Sequence, residues 1–187
     1  MPTDKAPSKA AIKKTPAVIP HAPSGNPTSS ELATLPRSVR IRAKPSARRL
    51  DDTLFTHLVT DAPLAGFAAI HTIRVGYSAR MMKAASQFFG VSDARIQGIA
   101  HVPASTASRL DKNNARIDSG ATERLYRMGM VTRMAIEVFG SKLAAIDWMR
   151  QPNRALGETA PLDLMDTEPG AVSVRQVLNA IATGGAA

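Results

Sequence analysis

The sequence predicts an all-α protein, and three observations carry that prediction. Apolar residues recur at spacings of three and four from about residue 53 onward, stretches of β-branched residues with period two are scarce, and Ser, Asp and Gly stand where helices would start and stop. The first fifty residues are different. They hold eight of the thirteen prolines and ten Lys/Arg against only Asp4 and Glu31, while every Phe, Tyr and Trp lies after them. Without aromatic side chains such a segment buries too little apolar surface to offset the entropy of ordering. Residues 1–52 are therefore expected to form a disordered basic arm. The first fifty residues carry +8 of the chain's +9, which suits a polyanion contacted without sequence reading.

Each helix has its own local reason. Residues 64–75 place Phe67, Ile70, Ile73 and Val75 on a broad apolar stripe behind Pro63. His71 sits within that stripe as a core or boundary residue. Residues 79–89 repeat the pattern with Met81, Ala84, Ala85 and Phe88, and Gly90 is a stop. Ser92–Asp93 caps a short helix that turns Ile96, Ile99 and Ala100 inward, His101-Val102-Pro103 breaks it, and Ala104–Leu110 forms the next. The longest helix is expected from Ser119 to Phe139, with Leu125, Met128, Val131, Ala135 and Val138 inward and Gly140 as its end. Ser141–Met149 should turn Leu143, Ile146, Trp148 and Met149 inward, and a last helix should run from Ala171 to Thr183 with Val174, Val177, Leu178 and Ile181 apolar.

Composition limits the chemistry. Cysteine is absent, so disulfides, thiolate metal sites and Cys nucleophiles are excluded, which fits a cytoplasmic protein. No signal-peptide core is visible, and no apolar run approaches the roughly 18 residues of a membrane span. The four histidines lack metal-pair spacing, and there is no glycine-rich phosphate loop or nucleophile elbow. Asp163, Asp166 and Glu168 are too irregularly spaced for a cation loop. No catalytic residue, metal site or cofactor is expected, and the chain does not read as an enzyme.

Residues 94–118 are more informative. A short helix, a three-residue break and a second short helix rich in small polar residues make a helix-turn-helix arrangement, with Ile96, Ala100, Val102, Ala107 and Leu110 between the two helices. Ser105, Thr106, Ser108 and Arg109 would face outward, and Lys112, Asn113 and Arg116 would extend the positive edge toward DNA. His101 stands where the turn normally takes Gly, and Gln97 where the first helix normally takes a small residue. The plain alternative is a helical hairpin whose polar residues are merely solvated.

Gly120–Ile181 contains Val138-Phe139-Gly140, Ala145, Trp148, Pro152-Asn153, Ala155-Leu156-Gly157, Pro161-Leu162, Leu164, Asp166-Thr167, Gly170, Val174 and Leu178. In that arrangement it resembles the toxin-binding domain of Xre/MbcA/ParS-type antitoxins. Residues 65–118 resemble the Xre-like helix-turn-helix domain that precedes it in that family. The resemblance implies an Xre-like helix-turn-helix domain over 53–130, a small helical toxin-binding domain over 131–187, and the basic arm outside both.

It further implies an antitoxin of a bacterial type II toxin–antitoxin pair. Its partner would be a RES-domain toxin acting on NAD, whose pocket the C-terminal domain covers, and its DNA target its own operator. Leu162, Leu164 and Met165 read as an apolar ridge fringed by Asp163, Asp166, Thr167 and Glu168, suited to docking on a basic cleft. Asn153, Leu156, Arg175, Leu178 and the terminal Gly184 and Gly185 complete the expected toxin-binding set, whereas Trp148, Pro152 and Gly157 are assigned to structure. Removing residues 141–187 should then abolish toxin binding and leave the N-terminal domain folded. A homodimer is expected because helix-turn-helix readers commonly bind paired half-sites. The rival reading is a stand-alone regulator whose C-terminal domain only dimerises.

Overall fold

The structure is a computed structural model that describes residues 47–185, with side chains described from residue 53. Its helices are α1 (Ala47–Thr60), α2 (Gly66–Val75), α3 (Arg80–Phe89), α4 (Asp93–Ala100), α5 (Ala104–Lys112), α6 (Ser119–Phe139), α7 (Lys142–Arg150) and α8 (Glu168–Ala182). Two single 3-10 turns, Arg154–Leu156 and Asp163–Asp166, join α7 to α8. The chain is all-α: among the described residues, extended pairing is confined to isolated bridges between Ser78 and Arg116 and between Asn153 and Thr159. No described helix is long and apolar enough to cross a membrane.

Short polar side chains set the helix starts by accepting orphan backbone N–H groups. Ser92 accepts from Arg95 (3.3 Å), Asp118 from Ala121 (2.8 Å), Ser141 from Ala144 (3.4 Å) and Thr167 from Gly170 (3.3 Å). The Thr167 cap starts α8 three residues before the expected Ala171, with Pro169 in the first turn, where its missing N–H costs nothing. At the other end of the chain, α1 begins at Ala47, so the last six residues of the expected arm are helical. Phe55 on α1 is fully buried and packs against Phe88 and Phe89, with ring centroids 5.2 and 5.5 Å away. Residues 1–46 lie outside the described residues.

Helix α6 is the axis of the fold: α1, α2, α3, α4, α7 and α8 all pack on it. Gly129 brings α1 close, since a Cβ there would stand 2.8 Å from Leu58 Cγ. One core cluster contains Ile96 and Val102 from the first half of the chain and Met149, Leu162, Met165, Val174 and Leu178 from the second. The expected division at residues 130/131 therefore falls inside a continuous 21-residue helix, and the described residues 47–185 belong to one compact unit.

Several inward assignments fail. Phe67 is 90% exposed, and Ile70, Val75 and His71 are also exposed, because α2 packs chiefly on α6 and buries only Ala69. Leu143 is exposed because α7 turns Ala145, Ile146 and Met149 inward, and a residue two positions before Ala145 lies roughly 200° around the helix. Phe88 is half-buried, and its neighbour Phe89 takes the core position.

Candidate functional site

Helices α4 and α5 meet across a turn in which His101 takes left-handed backbone (φ 56°, ψ 38°). This is the conformation that favours glycine, so the turn keeps its geometry while a histidine carries the strain. Val102 and Ala107 are buried at the junction. Gln97, the other departure in this motif, is half-buried beside a cavity of about 200 Å³ that also meets Lys83, Asp93 and Ser108. Of the α5 side chains only Ala107 is buried, which leaves the helix standing out from the core.

Most of the expected DNA-facing residues come together on that helix. Ser105, Ser108, Arg109 and Lys112 are exposed at positions i, i+3, i+4 and i+7, so they share one face. Arg109 and Lys112 have no ion-pair partner among the described residues. Asn113 is exposed at the C-cap, and Thr106 is half-buried at the edge. Arg116 does not extend this edge as expected. Its Nη1 donates to the Gly76 carbonyl at 2.5 Å, part of a backbone seam in which Ala79 N–H donates to Ala115 and Ile117 N–H to Tyr77. Arg116 thus ties the loop after α5 to the loop before α3.

The expected apolar ridge at 162–168 is largely interior. Leu162, Met165 and Leu178 are fully buried, so they are core residues rather than docking anchors. Leu164 and Leu156 are half-buried and packed on the same core. The 3-10 turn at Asp163–Asp166 puts Leu162 and Met165 on one side, three residues apart, and that side faces the core instead of solvent. Asn153 caps the Arg154–Leu156 turn by accepting from Ala155 N–H at 2.8 Å, and Thr167 caps α8.

The acidic fringe is likewise engaged within the fold. Asp163 accepts a two-pronged bond from Arg95 on α4, Nε at 2.7 Å and Nη2 at 2.8 Å. Asp166 takes Arg124 Nε on its backbone carbonyl (3.2 Å) and has its carboxylate 3.9 Å from His101 Nε2. Glu168 meets Arg127 Nε at 3.0 Å and Arg175 Nη2 at 2.5 Å. Arg127, which is 10% exposed at its side chain, also bonds Glu123 and donates from Nη1 to the Met165 carbonyl at 3.1 Å. The three carboxylates thus have separate partners and do not converge on one point. Gly184 (φ 73°) and Gly185, whose N–H donates to the Ala180 carbonyl at 2.8 Å, close the end of α8. Residues 186–187 lie outside the described residues.

One open stripe in this half lies on α8, the helix from which the expected toxin-binding set took only Glu168, Arg175 and Leu178. Val172, Gln176, Asn179 and Thr183 are all exposed at i, i+4, i+7 and i+11, opposite the buried Val174 and Leu178. The signal was present as the complement of the core pattern, but three polar residues and one Val do not announce a contact surface.

Known proteins match both halves. Residues 68–129 match the model of the antitoxin Xre-like helix-turn-helix domain, and residues 134–184 that of the antitoxin Xre/MbcA/ParS C-terminal toxin-binding domain. A protein named antitoxin Xre from Yersinia enterocolitica is 27% identical over 120 residues, 64% of this chain and 81% of the relative. An antitoxin Xre from Photorhabdus laumondii is 32% identical over 97 residues, 51% of this chain and 64% of the relative. A 46-residue stretch is 44% identical to part of a 6-hydroxy-3-succinoylpyridine 3-monooxygenase of Pseudomonas putida, but it covers only 15% of that enzyme and carries no activity across.

Proposed function

The chain belongs to the Xre/MbcA/ParS antitoxin family, and from that premise we propose that it neutralises a cognate RES-type, NAD-consuming toxin in the cytoplasm and represses its own operon as a homodimer. The observation that carries this reading is the pair of open, differently built surfaces on one core. Helix α5 offers unpaired cations and hydroxyls, and α8 offers a mixed stripe beginning at Val172.

For DNA, α5 enters the major groove, with Arg109 on a guanine edge or phosphate, Lys112 on phosphate, and Ser105 and Ser108 on the backbone at the groove's lip. Replacing both cations (Arg109→Ala with Lys112→Ala) is expected to weaken operator binding at least about tenfold and to lower the salt slope by roughly 1–2. Toxin neutralisation should be unchanged. Unaltered operator affinity would remove α5 from the interface.

For the toxin, covering of the active site falls to the outer face of α8 and its terminus, because Leu162, Met165 and Leu178 are committed to the core. The variant Val172→Arg with Gln176→Arg should melt like the parent, since both side chains are exposed, and should lose neutralisation. Retained neutralisation would place the contact elsewhere. The function as a whole is tested by co-expressing the chain with the protein encoded beside it, then measuring capture and cellular NAD. A stable complex that preserves NAD supports the antitoxin reading. DNA binding with no complex and no effect on NAD would favour the stand-alone regulator.

A further inference from the structure

Helix α2 is apolar and almost uncovered. Phe67 is the most exposed large apolar side chain among the described residues at 90%, and Leu64, Ile70 and Val75 beside it are exposed by 41–45%. A patch built on an open Phe with three aliphatic neighbours reaches several hundred Å², near the limit of what a soluble monomer leaves in water. Adjoining it is a groove of about 330 Å³ lined by Leu54, Leu58, Leu64, Tyr77 and Met81, with His57 and Asp61 at its rim. The Tyr77 hydroxyl is buried there without a hydrogen-bond partner among the described residues.

We propose that this surface is the self-association face, where a second copy of the chain packs about a two-fold axis and each Phe67 enters the other's groove. The proposal rests on the homodimer reading above and adds the face. A two-fold contact must be self-complementary, and here the protruding ring and the recess lie on one continuous surface, joined by Leu64, which belongs to both. The groove is large enough for an aromatic ring, whose burial removes on the order of 150–250 Å² from water.

Charge selects the orientation. Helix α2 carries Arg74 and His71 in its second half and no acid. Parallel packing would set Arg74 against its copy. Antiparallel packing separates them and brings Arg74 toward the entry of the partner's α2, where Asp61 is 64% exposed at its side chain.

The test uses the full chain. Wild type is expected to sediment as a dimer, and Phe67→Asp as a monomer with the parent's helicity and melting temperature, its dimer dissociation constant raised about 30-fold or more. The chain has no cysteine, so Ile70→Cys provides a second readout. A short bismaleimide should join two Ile70→Cys chains and should not join two Leu143→Cys chains, whose site is exposed on α7. Should Phe67→Asp fail to fold, the cross-link decides. A Phe67→Asp protein that remains dimeric overturns this face while leaving the dimer intact. A monomeric wild type overturns both readings, and the groove then belongs to residues 1–46 or to the toxin. Loss of toxin capture by Phe67→Asp with dimerisation unchanged would assign the face to the toxin.

Discussion

A chain cut after Gly140 should fail to fold, losing operator binding and toxin binding together. Cutting there removes Met149, Leu162, Met165, Val174 and Leu178, all fully buried and all in the cluster that also holds Ile96, Leu125 and Met128. Burying one such side chain contributes roughly 1.5–3 kcal/mol, so the loss is on the order of 10 kcal/mol. That equals the whole stability of an ordinary domain, about 5–15 kcal/mol. The truncation also strands one side of α6 and strips Arg95 and Arg127 of Asp163 and Glu168. The check is far-UV circular dichroism and amide exchange on residues 1–140. A cooperative melt with protected α3 to α6 amides would show that the helix-turn-helix half stands alone. Separating the two functions therefore calls for surface substitutions such as those on α5 and α8.

The expectation that the helix-turn-helix half folds without this segment comes from local patterns, which do not reveal a shared core. Local chemistry was legible: the Ser92 and Ser141 caps, the stops at Gly90 and Gly140, and the full span of α6 all follow from residues a few positions apart. The turn at His101 was legible as a site that wants glycine, and the backbone there is left-handed. Periodicity, however, shows that a face is apolar and not what covers it. On α2 the apolar face is open, whereas Leu162 and Met165 looked like an open ridge because they alternate with acids. Their cover comes from α4, α6 and α8, and the bond that pins the turn, Arg95 to Asp163, spans 68 positions. No pattern within a helical window encodes a contact at that separation. Helix α1 was partly hidden for the opposite reason: the arm's proline-rich, basic composition runs into its first residues and masks the start at Ala47.

Arg127→Ala is expected to destabilise the folded chain clearly, although the residue removed is charged. The guanidinium joins three elements, bonding Glu123 on α6, the Met165 carbonyl on the 3-10 turn and Glu168 at the start of α8. Its loss leaves the Met165 carbonyl without its donor in a site where the parent side chain was 10% exposed, a penalty of about 1–3 kcal/mol. The two carboxylates fare better. Their side chains are 38% and 56% exposed, so water can take up their charge, and the cost stays below the 3–5 kcal/mol of orphaning a fully buried ion. With the packing of the arginine stem included, a total of about 2–3 kcal/mol is expected, or roughly 5–10 °C in melting temperature for a folded unit of this size. Arg127→Lys should fall between parent and Ala, because one ammonium cannot reach all three acceptors at the angles a guanidinium holds. Thermal melts of the three proteins check the order. An Arg127→Ala chain within about 0.5 kcal/mol of the parent would mean that the clamp is incidental and that the buried Leu162 and Met165 alone hold the turn against α6.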